Sequence, residues 1–202
     1  MANKKKVVAV KKQMVKKKST TSQRKGKKKW FKTVTPAHMR SVELSEIMAY
    51  EPSELPGRTI KVPLKEVTGS MRDSSSNIKF RIIKVQGETC QLEPIELSMQ
   101  NSHVQRIERR AKERVLAVID ETTKDKQNIR VKAYILLNNR VSRATKTAIL
   151  AVATNIITTY VKMRESKDVF AVTTPKVLAN SIKAEIKNIY PASVLIWRIS
   201  IK

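Results

Sequence analysis

The two histidines of this 202-residue chain, His38 and His103, stand far apart and form no HxxxH or HExxH pattern, so the side chains that a metal centre or a nucleophile–base pair requires are not paired. Cys90 is the only cysteine, which leaves no partner for an intrachain disulfide and no cysteine-based zinc site, and fits a reducing compartment. It lies beside Leu92 in an apolar strand candidate, where a small buried residue is the preferred reading and a nucleophile the alternative. Glu93, Glu96, Asp120, Glu121 and Asp125 are separated by whole elements; solvated loops or salt bridges explain them as well as a nuclease carboxylate pair does. The four glycines, Gly26, Gly57, Gly69 and Gly87, form no clustered phosphate loop. These residues predict no catalytic site, metal, cofactor or small-molecule substrate.

The chemistry the chain does offer is cationic. It carries 42 Lys and Arg against 17 Asp and Glu, a formal net charge of +25, which calls for a polyanion because neutralising phosphates releases condensed counterions. Three groups of residues could make those contacts. Lys25, Lys27, Lys28, Lys29 and Lys32 surround Trp30 and Phe31, whose rings could stack on unpaired bases or pack into a core. Arg106, Arg109 and Arg110 crowd one helix candidate and could grip successive phosphates or form a solvated face. Lys79 with Arg81, and Arg130 with Lys132, occupy the polar faces of two strand candidates and could pave one side of a sheet. No helix-turn-helix, zinc-finger or RNP-type signature accompanies them, which argues against a reader of base sequence and for a protein embedded in RNA.

The elements that hold these groups follow from composition and period. Residues 1–29 contain thirteen Lys and Arg and no acid, and are expected to be a basic arm, disordered in isolation, because they bury too little apolar surface to offset chain ordering. The remaining 30–202 still carries a surplus of 12 positive charges and is expected to be a single domain. Strands are predicted at 30–35, at 58–62, at 78–83 from the alternation of Ile78, Phe80 and Ile82, and at 89–92 after a turn at Gly87-Glu88. A helix is predicted over 102–114 with a Ser102/Gln105 capping box, then a strand pair at 115–120 and 129–137. Helices follow at 144–163 and from Thr174, read as the N-cap before Pro175, with an apolar stripe of Val177, Leu178, Ile182, Ile186 and Ile189. The last strand, 194–201, groups Leu195, Trp197, Ile199 and Ile201 on one face and belongs inside the sheet. No apolar run approaches the roughly 18 residues of a membrane span, and the N-terminus lacks a secretory apolar core.

The order of segments resembles the archaeal and eukaryotic small-subunit ribosomal protein family S-three-A, also called eS-one. Lys29-Trp30-Phe31-Lys32-Thr33-Val34-Thr35-Pro36 is similar to its opening "KWY-x-V-x-AP", and Gly57 to Leu64 to its "GR-x-x-x-V-x-L". Lys79-Phe80-Arg81-Ile82, Val85-Gln86-Gly87, Thr122 to Asp125, Ile129-Arg130-Val131 and Ile189-Tyr190-Pro191 follow in the family's order. The family's "T-K-D-G" turn reads Thr123-Lys124-Asp125-Lys126 here, and Glu96-Leu97-Ser98-Met99-Gln100 replaces its usual "H-x-L-T-R-D" run. The chain resembles a trimmed member with a eukaryote-like arm, so partners of a longer C-terminal extension are expected to be absent or rearranged.

The resemblance implies an α+β protein with a β-barrel-like core. Period and pattern independently give a mixed or antiparallel sheet with about three helices. The resemblance also implies a structural role on the small-subunit platform, near the mRNA exit and the 3′ end of the rRNA. Small-subunit rRNA and neighbouring ribosomal proteins are then the partners, no membrane is involved, and the location is cytoplasmic with nuclear or nucleolar transit. An RNA-binding assembly factor and a basic nucleic-acid-processing enzyme are the alternatives.

Overall fold

Ile78, Phe80 and Ile82 all point inward from β4 (Ser76–Gln86), the outcome that their alternation with Lys79 and Arg81 predicts. The structure is a computed structural model that describes residues 26–202, so the proposed arm, Lys25 included, lies up to residue 25 outside the described residues. Among the described residues the other strands are β1 (Lys29–Val34), β2 (Glu43–Ala49), β3 (Thr59–Pro63), β5 (Thr89–Met99), β6 (Glu113–Thr122), β7 (Asn128–Leu137) and β8 (Ala192–Ile201). The helices are α1 (Leu64–Thr68), α2 (Asn101–Glu108), α3 (Arg143–Lys162), α4 (Ser166–Val169) and α5 (Thr174–Ile186). The mixed α+β class and the count of three longer helices stand as expected.

The eleven residues of β5 organise the sheet. One edge of β5 pairs antiparallel with β4, which carries β3 beyond it. Its other edge is shared: Thr89–Gln91 take β1 in parallel, and Glu96–Ser98 take β8 antiparallel. The order β2-β1-β5-β8-β7-β6 results, with β4 and β3 as a branch. Inner-face residues from all branches meet in one apolar cluster running from Phe31 through Phe80 to Ile135. Over β6–β8 the cover is helical. Ile149, Ala153, Ile157 and Val161 recur every fourth residue along the buried side of α3, and Leu178, Ile182 and Ile186 along that of α5. The 20-residue α3 starts at Ser142, whose hydroxyl accepts the Thr145 N–H.

Several elements differ from expectation, each for a physical reason. The helix predicted over 102–114 stops at Glu108, because Lys112 N–H donates to Leu137 O and the chain joins β7 from Glu113 onward; ten ladder positions outweigh another helical turn. Its N-cap is Gln100 with no side-chain cap bond, so the Ser102/Gln105 capping box does not form. Thr173, not Thr174, is the N-cap of α5; the Thr174 hydroxyl instead donates to Asp168 O at 2.8 Å. Val177 and Ile189 are exposed and leave the expected stripe. β8 lies inside the sheet as expected, but its pairing with β7 slips between Lys132 and Ala133, so Ile196 and Ile199 both face inward while Leu195 and Trp197 do not share their face. β2, α1 and α4 add to the elements that period and composition predict.

The β6–β7 turn holds a residue in a costly conformation, with a testable consequence. Lys126 sits at φ +58°, in the left-handed region that favours glycine. A left-handed L-residue costs about 1–2 kcal/mol, and the added chain freedom of glycine returns about 0.5–1 kcal/mol of that. Lys126→Gly is therefore expected to stabilise the fold by about 0.5–1 kcal/mol, raising the thermal midpoint by roughly 1–4 °C in calorimetry.

Candidate nucleic-acid interface

The sheet's outer face gathers cations from strands that are remote in sequence. Strand register makes one transverse row: Lys61 of β3 beside Lys79 of β4, then Glu96 of β5, Ser200 of β8, Arg130 of β7 and Asp120 of β6. Two residues along each central strand, hence on the same face, a second row runs Asn77, Ser98, Arg198, Lys132, Val118. The two basic strand faces of the sequence reading are thus one surface, joined through β5 and β8.

The nominated residues differ in how free they are. Among the described residues Lys79 and Arg81 take part in no ion pair, and Arg81 is exposed. Arg130 is engaged: its guanidinium donates to both Asp120 oxygens at 2.6 and 2.7 Å. Those bonds, with Lys202 Nζ at 2.9 Å, hold the Asp120 carboxyl below the usual carboxylate range. Lys132 Nζ lies 5.1 Å from the centroid of the Trp197 ring, Arg198 lies 5.4 Å from the same ring, and Tyr134 packs against it at 5.4 Å. With Leu116 and Val118 exposed on the next strand, the cationic rows border an apolar, aromatic area.

The other two groups sit around this face. In β1, Trp30 is 57% exposed beside Met48 of β2, whereas Phe31 is 2% exposed and belongs to the core, which removes it from the stacking candidates. Lys27, Lys28, Lys29 and Lys32 are exposed; Lys28 Nζ stands 5.4 Å from the Tyr50 ring, and Lys32 is 3.6 Å from Glu43. Arg106, Arg109 and Arg110 are exposed too, but only Arg106 is helical; Arg109 caps α2 and Arg110 follows in the turn. Arg106 Nη2 is 2.8 Å from His103 Nδ1, and burial together with this guanidinium holds His103 below the usual imidazole range, so the neutral ring accepts that bond. Arg109 and Arg110 form no ion pair among the described residues.

Sequence reasoning passed over Lys61, Trp197 and Arg198. Alternation in the 58–62 strand already placed Lys61 opposite Ile60 and Val62; the β8 bulge concealed the other two. His38 and Cys90 remain apart from any reactive partner set: burial pushes the Cys90 thiol up and, with Lys167, His38 down. Among the described residues, no three His, Cys, Asp or Glu side chains gather as a metal site, and no helix is long and apolar enough to cross a membrane.

A mixed sheet whose outer face carries rows of cations, with Glu96 and Asp120 held in ion pairs, defines a basic binding protein built around a surface rather than a reaction centre. Comparison with known proteins supplies the family. The Ribosomal S3Ae family model matches residues 11–201, and the chain belongs to that family. It is 28% identical over 165 residues to small ribosomal subunit protein eS1 of Nanoarchaeum equitans, covering 82% of this chain and 83% of that one. The eS1 protein of Saccharolobus solfataricus is 29% identical over 168 residues, covering 81% and 79% respectively. That of Halorubrum lacusprofundi is 27% identical over 165 residues, covering 82% and 77%.

Proposed function

We propose that this chain is a structural constituent of the small ribosomal subunit that binds and stabilises rRNA, on the platform near the mRNA exit and the 3′ end of the rRNA. The family is one of structural ribosomal components, not of enzymes. The observation that carries the rRNA reading is the pair of transverse rows on one face, with Lys61 beside Lys79 in the first and Arg198 beside Lys132 in the second. Such a surface tracks a phosphate backbone without reading bases. Lys25 to Lys29, Lys32, Arg81, Arg106, Arg109, Arg110 and Arg130 extend it, and the exposed Trp30 ring is available for stacking on an unpaired base. Residues 1–29 act as the RNA-binding arm and 30–202 as the domain. Neighbouring small-subunit proteins are the protein partners, and the chain resides in cytoplasmic ribosomes after nuclear or nucleolar transit.

Sedimentation of a tagged copy tests this. Salt-resistant, nuclease-sensitive migration with the small subunit and translating ribosomes is expected; confinement to precursor particles would instead indicate an assembly factor. A finer test uses Arg106→Glu with Arg109→Glu. Neither residue supports the core, so the thermal midpoint should hold within roughly 2 °C, while rRNA affinity in filter binding at fixed salt should fall about tenfold or more, since two phosphate contacts become repulsions. Wild-type affinity in the folded double variant would remove α2 from the interface.

A further inference from the structure

Where β5 runs into α2, the outer face folds into a small polar cavity of about 220 Å³. Lys61 and Arg198 bring positive charge to it, Asn77 and Ser98 adjoin on paired strands, and Asn101 and Ser102 are the first two residues of α2. The eight-residue helix thus presents its positive dipole end and first-turn N–H groups to the cavity. The helix end alone would say little, but two other groups point the same way. Ser98 is only 6% exposed and lines the cavity, yet its hydroxyl has no hydrogen-bond partner among the described residues. Arg198 Nε is buried; it lies 3.2 Å from Glu96 Oε1 but too misaligned to hydrogen-bond, so this donor is unsatisfied as well. A hydroxyl open to the cavity, a guanidinium and an exposed lysine thus meet over a helix N-terminus.

We infer that this cavity is a seat for one phosphate group, taken from the backbone of bound RNA. An oxyanion there accepts from the Ser98 hydroxyl, Arg198 and Lys61, and from the α2 N–H groups, and Arg198 is shared with Glu96. Glu96 does not line the cavity and is the ion-pair partner that orients Arg198. The seat draws on four segments, with Lys61 from β3, Asn77 from β4, Ser98 with the start of α2, and Arg198 from β8. The inference rests on the RNA-binding reading.

The experiment is ethylation interference on small-subunit rRNA bound by the full chain, comparing wild type with Ser98→Val, which suits a strand, and with Lys61→Met at an exposed position; thermal melts confirm folding. One phosphate whose ethylation blocks wild-type binding should lose its effect in both variants. Affinity should drop roughly three- to tenfold, and the slope of log K against log salt should shrink by about 0.7–0.9 in Lys61→Met. Identical interference patterns and slopes in folded variants would overturn the seat while leaving RNA binding intact. Absence of rRNA binding by the wild type would overturn both readings. A titration of the protein with inorganic phosphate that shifts the Ser98, Asn101 and Ser102 amides, combined with an unchanged interference pattern, would overturn RNA as the source and assign the cavity to free phosphate.

Discussion

Deleting residues 1–26 is expected to cut the salt dependence of rRNA binding steeply while leaving the folded domain as stable as before. The segment holds ten of the 42 Lys and Arg and none of the 17 acids. Each phosphate neutralised contributes about 0.7–0.9 to the slope of log K against log salt, so engagement of half to all of these cations takes roughly four to nine units off the slope. The full chain should lose on the order of a thousandfold in affinity or more between 50 and 200 mM salt, and the shortened chain far less. Stability is a separate matter, since among the described residues the first strand begins at Lys29 and the first core side chain is Phe31. The thermal midpoint should therefore move by no more than roughly 2 °C. An unchanged salt slope would assign the electrostatic contacts to the outer face alone, where Lys61, Lys79, Lys132 and Arg198 lie.

That outer face shows where sequence reading stops. Alternation located β4, β6 and β7 because each has one face in the core, and a period of two is legible whenever burial is one-sided. It placed Lys79 and Arg81 on one polar face and Arg130 and Lys132 on another, but could not say that these are the same face. That fact depends on β5 pairing with β8, a contact about a hundred residues apart in the chain, for which the local pattern carries no signal. β2 went unseen for the opposite reason: as an edge strand containing Glu43, Ser45 and Glu46, it buries little and alternates weakly. In β8 the alternation was present but misleading, because one bulge between Ile196 and Arg198 reverses the parity of everything after it. The arginines after Glu108 were assigned to a helix because their spacing suits one, and only the competing ladder with β7 shows why the helix ends.

Phe80→Ala is expected to destabilise the domain by about 3–5 kcal/mol, the largest effect of any single truncation considered, and to lower the thermal midpoint by roughly 10 °C or more. Phe80 is among the largest fully buried side chains, and its position explains the magnitude. It sits in β4 opposite Ile60 of β3 and Pro94 of β5, next to the bulge at which β5 changes register. The ring therefore fills space where β3, β4 and β5 lie side by side and where Pro94 donates no ladder hydrogen bond. Two neighbouring strands pin this backbone, so it relaxes little into the void, and the cavity term adds to the lost transfer energy. The consequence reaches the binding face. Lys79 and Arg81 flank Phe80 on the opposite side of the same strand, so loosening β4 should weaken RNA binding even though no cation is changed. Phe80→Leu keeps most of the volume and should recover both stability and binding, whereas Lys79→Ala should lower affinity with the melting curve unmoved. Denaturant unfolding paired with filter binding on these three variants separates packing from charge: if Phe80→Ala binds RNA with wild-type affinity at a temperature where it remains folded, the rigidity of β4 is not what positions the cationic row.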